Sequence, residues 1–247
     1  MSLHSFYNVK DIQHAIDNGA SIDEYKDGRQ PIHVAALCGC IEIIDCLVNN
    51  GASLESLDRN DNTPLHLASG EGQFETVKYL IKNGVDINPP ECDGDKPIHM
   101  AISHHDIIKY LIKKGVSIES SGRNGRKPLH AAIEMGKVTN VKYLVGLGAS
   151  LGSYDNTGTT PIHMAADEMY IDSLKYIVEE GASLDVCTND FYTPLHNAVS
   201  NGRINNVKYL VEQGASLEIR SSNGRTPLCL AKFIGEYEIA NYLEGLL

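Results

Sequence analysis

The feature that most constrains the fold of this chain is an internal repeat with a period of 33 residues. A tetrapeptide related to Thr-Pro-Leu-His recurs along the 247-residue sequence at spacings of 33, 33, 31, 33, 33 and 33 residues. Such a period indicates a series of short units, each of which buries its apolar face against its neighbours. The seven copies begin at Gln30, Thr63, Lys96, Lys127, Thr160, Thr193 and Thr226.

Two further markers keep the same phase, which predicts that nearly the whole chain is built from one kind of unit. A glycine followed by alanine or valine recurs at Gly19, Gly51, Gly84, Gly115, Gly148, Gly181 and Gly214. A tyrosine, usually preceded by lysine, recurs at Tyr79, Tyr110, Tyr143, Tyr176, Tyr209 and Tyr242.

The local chemistry predicts two short helices and a turn in each unit. Thr63 is a good N-cap, and Pro64 suits the first turn of a helix, where its missing N–H costs nothing. Apolar residues at helical spacing in 77–81 predict a second helix, which Gly84 ends with a left-handed residue. The polar stretch 58–62 before the tetrapeptide is typical of a β-hairpin-like turn.

With these markers in phase, the chain resembles the ankyrin-repeat family over essentially its whole length. The resemblance implies an all-α ankyrin-repeat solenoid of helix–turn–helix units with projecting β-hairpin-like loops. It also implies a non-enzymatic protein–protein interaction module, a scaffold or regulator that binds a protein partner through its concave face. The alternatives are a microbial or viral effector that interacts with a host, and an inhibitory or assembly-chaperone subunit of an enzyme complex.

We expect a single ankyrin-repeat domain over residues 1–247. Residues 1–27 should form an N-terminal cap, because they carry the apolar pattern of a second helix. The third repeat is two residues short near 103–106, and Met169 replaces the usual glycine in the fifth. We therefore expect these two inter-helix turns to be the least regular. The repeats are predicted at 28–60, 61–93, 94–124, 125–157, 158–190 and 191–223, with a C-terminal capping repeat at 224–247.

Composition narrows the class of partner. The formal net charge of −11 would repel a polyanion, so we expect neither nucleic acid nor an anionic membrane surface as partner. No apolar run approaches the roughly 18 residues of a membrane helix, and the N-terminus does not resemble a signal peptide. The six cysteines have no zinc-ligand spacing. These features predict a monomer with reduced cysteines in the cytoplasm or nucleus.

The histidines are the most tempting catalytic or metal-binding set, but a structural role is favoured. In the family, the histidine that ends the tetrapeptide is hydrogen-bonded within and between neighbouring turns, and copies one repeat apart cannot share a metal ion. The adjacent pair His104 and His105 is expected to lie in a solvated turn. No phosphate-binding loop, nucleophile elbow or zinc-protease motif occurs, so we expect no enzyme activity and no cofactor.

The variable positions of the family map onto a candidate partner-binding face. Phe191 and Tyr192 place aromatics where other units have glycine and a second residue, and exposed aromatics often dominate binding. Arginines lie on the tips and acidic residues on the groove floor, which predicts a basic or amphipathic partner segment along repeats two to five. The candidates are Arg59, Asn62, Glu71, Asp95, Arg123, Arg126, Glu134, Met135, Asp167, Glu168, Phe191, Tyr192 and Arg225.

One modification motif accompanies this face. The residues around Asn88 resemble the pattern that an asparaginyl hydroxylase modifies in many ankyrin repeats. Other repeats carry Glu55, Glu119, Asp185 or Glu218 at the corresponding position. An ordinary loop asparagine is the favoured interpretation, and hydroxylation of Asn88 is the alternative.

Overall fold

A computed structural model describes residues 3, 8–89, 94–167, 169 and 171–246. These residues form fifteen α-helices, and among them no β-strand is present; one isolated bridge joins Lys26 and Arg29. The all-α prediction is therefore confirmed. The chain divides into two compact units, residues 1–117 and 118–247, each of which is described by itself. In the described residues, no helix combines the length and the apolar character that crossing a membrane requires.

The first unit contains seven helices in two rows. The first helices of successive repeats, α2, α4 and α6, pack side by side, while α1 packs against α3 and α5 against α7. The helices are α1 (Val9–Asp17), α2 (Pro31–Cys38), α3 (Ile41–Asn49), α4 (Pro64–Gly70), α5 (Phe74–Lys82), α6 (Pro97–Met100) and α7 (His105–Lys113).

The second unit repeats this arrangement with eight helices. The row of first helices runs α8, α10, α12, α14, and the row of second helices runs α9, α11, α13, α15. The helices are α8 (Pro128–Glu134), α9 (Val138–Gly146), α10 (Pro161–Asp167), α11 (Ile171–Glu179), α12 (Pro194–Ser200), α13 (Ile204–Glu212), α14 (Pro227–Ile234) and α15 (Tyr237–Glu244).

The histidine of the tetrapeptide joins its first helix to the loop of the next repeat at His33, His130, His163 and His196. His163 is buried, and its Nδ1 accepts the backbone N–H of Thr160 at 3.2 Å. Its Nε2 donates to the carbonyl oxygen of Tyr192 at 2.9 Å. The same pair of bonds is made by His33, which reaches Ser56 in the first unit at 2.9 Å. The structural role of these histidines is thus confirmed.

Burial keeps these imidazoles neutral. Desolvation lowers the pKa of His33, His130, His163 and His196, in spite of the backbone hydrogen bonds that favour the protonated form. The effect is largest at His66, whose Nε2 has no hydrogen-bond partner in the described part of the chain, and burial lowers its pKa to about 4. Stability should therefore depend on pH where free histidines titrate.

We predict that the free energy of unfolding falls as the pH is lowered from 7 to 5. The unfolded histidines take up protons near pH 6.5, whereas the folded ones resist protonation, so acid favours the unfolded chain. His66 alone should contribute a slope of up to about 1.4 kcal/mol per pH unit below pH 6.5. Urea unfolding midpoints measured at pH 7, 6 and 5 test this, and a constant midpoint over that range would contradict it.

The tyrosine series packs between second helices. In the second unit, the Nζ atom of Lys142 lies 5.3 Å from the ring centroid of Tyr176 in the next repeat. Lys208 lies 5.7 Å from the ring of Tyr242 in the same way. Each lysine–tyrosine pair therefore contributes a cation–π contact between neighbouring repeats, worth about 0.5–1 kcal/mol at an exposed site.

The shortened third repeat has an irregular turn, as expected. Its first helix α6 has four residues and continues as a 3-10 helix over Ala101–Ser103. The expectation of a solvated turn is wrong for His104. Its Nε2 lies 2.9 Å from the carbonyl oxygen of Gly70, and its ring packs so closely on Gly72 that a Cβ there would lie 2.5 Å from the ring. The turn of the fifth repeat includes residues 168 and 170, which lie outside the described residues.

In the last repeat, α14 packs against α12 and α15 packs against α13. Val199 on α12 and Leu210 on α13 are buried, and deletion of 224–247 would remove the helices that pack against α12 and α13. We expect this deletion to lower the midpoint of thermal unfolding by about 5 °C or more and to reduce solubility. Circular dichroism on heating measures the shift. An unchanged midpoint and solubility would show that these residues do not act as a cap.

Candidate functional site

The loop tips within each unit are connected by backbone hydrogen bonds. In the second unit, the N–H of Asn156 donates to the carbonyl oxygen of Asn124 at 2.9 Å, and the N–H of Asn189 donates to that of Thr157 at 3.0 Å. The N–H of Ser222 donates to the carbonyl oxygen of Asp190 at 2.9 Å. Because each tip is bonded to the next, their side chains are presented from a well-ordered backbone.

Two of the loops each contain a buried aspartate that accepts hydrogen bonds from the backbone of its own loop. Oδ1 of Asp155 accepts the backbone N–H groups of Thr157 at 2.8 Å and Thr159 at 3.0 Å. Burial acts to raise the pKa of Asp155, but these hydrogen bonds outweigh it and the pKa lies below its usual value. Asp58 accepts the N–H groups of Asn60 and Asn62 in the same way. Both aspartates lie five residues before a tetrapeptide, but their hydrogen bonds inside the loop were not predicted from that position.

Phe191 occupies a backbone conformation that does not suit it. Its φ is +59°, in the left-handed region, where a bulky residue is strained by about 1–2 kcal/mol. Gly125, Gly158 and Gly224 hold the corresponding position in other repeats, with φ between 71° and 77°. The Phe191 side chain is nevertheless 59% exposed. The fold therefore gains little from this ring to offset the strain.

Tyr192 differs from its neighbour. It is half-buried, its ring centroid lies 5.3 Å from that of His196, and its N–H donates to Oγ1 of Thr188 at 3.2 Å. Its carbonyl oxygen accepts the bond from His163. Of the two predicted aromatics, Tyr192 is therefore largely held by the fold, and Phe191 is the one presented to solvent.

A polar cleft of about 470 Å³ lies among the tips next to Phe191. Hydroxyl and amide groups dominate its walls, and Asp190 supplies a carboxylate. Most of these residues were not among the predicted candidates, because each alone is an ordinary polar loop residue. The cleft is lined by Thr157, Thr159, Thr188, Asp190, Tyr192, Asn197, Ser222 and Asn223.

Some predicted charges of the second unit are paired within the chain. Nη1 of Arg126 lies 2.8 Å from both carboxylate oxygens of Glu134, and the guanidinium carbon of Arg225 lies 3.7 Å from the ring centroid of Phe233. Each pair is at least partly exposed, so it contributes little stability and a partner can replace it. The expected separation of basic tips from an acidic floor is thus partly neutralised at Arg126.

The remaining candidates of the second unit are placed as follows. Burial raises the pKa of Asp167, which is half-buried, and the side chain of Arg203 donates to the Asp167 carbonyl oxygen at 2.8 Å. Met135 is the C-cap residue that follows α8 and is 51% exposed, and Arg123 is exposed in its loop. Glu168 lies outside the described residues.

The candidates of the first unit are placed as follows. Arg59 is exposed and its side chain covers Gly28, while Asn62 is half-buried beside Asp58. Glu71 is exposed at the end of α4, and Asp95 is exposed in its loop.

Asn88 is exposed beside a hollow of about 310 Å³. Its N–H donates to Oδ1 of Asp86 at 2.8 Å. In two other repeats, the residue at the position of Asn88 accepts a backbone N–H from the following repeat. The carboxylate of Glu55 accepts the N–H of Asp86 at 2.7 Å, and the carboxylate of Asp185 accepts the N–H of Ser216 at 2.9 Å. This position therefore has a role in joining repeats, and hydroxylation of Asn88 stays a prediction.

Comparison with known proteins agrees with the geometry. The family model described as ankyrin repeats (3 copies) matches residues 3–91, 88–155, 121–190 and 162–244. The matches together cover more than nine-tenths of the chain. Comparison with the curated proteins gives no match.

Proposed function

The chain belongs to the ankyrin-repeat family, and we propose that it binds a protein partner through the loop tips and first helices of residues 118–247. Ankyrin repeats generally serve protein–protein interaction and are typically not enzymes. A binding role accounts for a polar cleft beside an exposed aromatic side chain. Protein interfaces are enriched in aromatic residues and carry hydrogen bonds, whereas the fold itself does not need this ring to be exposed.

Phe191 is the observation that carries the proposal. Its ring is largely exposed and its backbone is strained, at a position where glycine would fit without strain. Strained residues persist where the strained conformation serves a function. Aromatic side chains are also enriched among the residues that dominate binding energy. A partner that buries Phe191 would recover the free energy that the unbound fold loses there.

The chemistry of the cleft favours a basic or amphipathic segment of the partner. Asp190 contributes a carboxylate at its wall, and Asp167 lies on a first helix of the same unit. Threonine hydroxyls and backbone carbonyls can accept hydrogen bonds from lysine, arginine or amide groups. We propose that basic residues of the partner lie over these groups while an apolar residue contacts Phe191.

The net charge of −11 supports a protein partner over nucleic acid, because the field of the chain repels a polyanion. We further propose that the protein acts as a monomer in the cytoplasm or nucleus, as a scaffold or regulator without catalytic activity. An inhibitory or assembly-chaperone role and a host-directed effector role would use the same binding surface, so the identity of the captured partner distinguishes them.

We predict that Phe191→Ala and Asp167→Lys each reduce capture of the main partner about tenfold or more, which corresponds to about 1.4 kcal/mol. Phe191→Ala removes the apolar contact, and Asp167→Lys repels a basic segment. The tagged full chain is incubated with native lysate at equal concentrations of wild type and variant, and captured proteins are quantified by mass spectrometry.

Tyr237→Ala is the matched control, because Tyr237 is 74% exposed but begins the second helix α15, away from the tips. It should capture the partner as the wild type does. Partner capture that is unchanged in both Phe191→Ala and Asp167→Lys would overturn the proposed surface. Loss in Tyr237→Ala to the same extent would show that the reduction reports general damage to the fold.

A further inference from the structure

The second helices of the first unit carry an unusual concentration of positive charge. Five lysines lie on α5, α7 and the residue after α7, against two acidic residues, Glu75 and Asp106. The chain as a whole has 21 basic and 32 acidic residues, so this surface has the opposite sign to its surroundings. The lysine face consists of Lys78, Lys82, Lys109, Lys113 and Lys114.

The repeat architecture accounts for only part of this charge. The lysine that precedes the tyrosine recurs in every second helix from α5 to α13, so Lys109 belongs to the pattern. The position of Lys113, in contrast, is held by Gly146, Glu179 and Glu212 in the second unit. Since those repeats form the same helix with glycine or glutamate, Lys113 is not needed for the fold.

An aromatic hollow lies at the centre of the lysine face. Phe74 begins α5, and its ring meets that of Tyr110 on α7 edge-on, with centroids 5.7 Å apart. Together with Asp106, Lys109 and Lys113 these rings line a shallow hollow of about 340 Å³ that is open to solvent. Its apolar interior and basic rim are those of a pocket for an apolar side chain between anionic neighbours.

The lysines at the rim are held close to the rings. The Nζ atom of Lys78 lies 5.1 Å from the centroid of Phe74, and that of Lys114 lies 5.4 Å from the centroid of Tyr110. Lys78 is also paired with Glu75 at 2.9 Å. Lys82, Lys113 and Lys114 are exposed at the same surface. An anion that approaches the hollow therefore meets ammonium groups on both helices.

We propose that the lysine face binds an acidic peptide segment of a protein, which places one aromatic or aliphatic side chain in the hollow between Phe74 and Tyr110. Charge complementarity selects the acidic residues, and the hollow selects the apolar residue between them. The proposal concerns residues 74–114 and stands independently of the surface around Phe191, because no residue is shared between them.

The size of the lysine face favours a peptide over nucleic acid. Each of the two helices is about 13 Å long, which a few extended residues span. A short peptide interacts mainly with charges within about one Debye length, roughly 8 Å at physiological salt. A longer polyanion would extend into the negative field of the rest of the chain and be repelled.

The test measures fluorescence anisotropy of a labelled peptide with one central phenylalanine between runs of glutamate, titrated with the full chain. We expect saturable binding that weakens with added salt. Lys109→Glu combined with Lys113→Glu should weaken it about tenfold or more. A peptide with glycine in place of the phenylalanine, and one with glutamine in place of the glutamates, should each bind more weakly.

Lys142→Glu combined with Lys175→Glu is the matched control, since it changes the net charge equally on second helices of the other unit and should leave binding unchanged. If the Lys109→Glu/Lys113→Glu variant loses its helical circular dichroism, Lys113→Gln is used in its place. This single substitution should weaken peptide binding about threefold. The proposal is overturned by no saturable peptide binding up to about 1 mM, by equal loss in the control, or by preferential binding of a single-stranded oligonucleotide of similar charge.

Discussion

The structure depends on one interaction, the histidine of the tetrapeptide that bonds at both ring nitrogens. In His163, Nδ1 accepts the N–H that begins its own helix, while Nε2 donates to the loop of the next repeat. One side chain thus caps a first helix and fixes the distance to its neighbour. Because the ring is buried and neutral, both bonds lie in a low dielectric, where they are strong and where a missing partner is costly. The second unit repeats this connection at His130, His163 and His196, and the first unit has it at His33.

A backbone held in this way allows the exposed side chains to vary without loss of the fold. At one tip position most repeats use glycine in the left-handed conformation, and Phe191 keeps that conformation although its side chain opposes it. On α7, Lys113 replaces a residue that is glycine or glutamate elsewhere. In both places the residue is unfavourable or unnecessary for the fold and is exposed to solvent. Departures from the repeat are therefore the positions where binding is expected.

The sequence predicted what depends on the period and missed specific side-chain contacts, both within a repeat and between neighbouring repeats. The helices, the capping threonines and the buried histidines follow from local spacing. The pairing of Arg126 with Glu134 could not be predicted, because the residues are eight apart across a loop and a helix. The same limit applies to the ring of His104, which packs on Gly72 of the preceding repeat. The glycine at the corresponding position of other repeats indicated that Phe191 could be strained. The size of that strain depends on the φ angle, which the sequence does not give.

The central claim is that Phe191 is retained for binding at a cost to folding. The most direct measurement is partner capture by a Phe191→Gly variant, compared with its free energy of unfolding in urea. Glycine suits the observed conformation, so the variant should be more stable by about 1 kcal/mol. The account predicts that this better-folded protein loses most of its partner. A Phe191→Gly variant that captured the partner at the wild-type level would contradict the account.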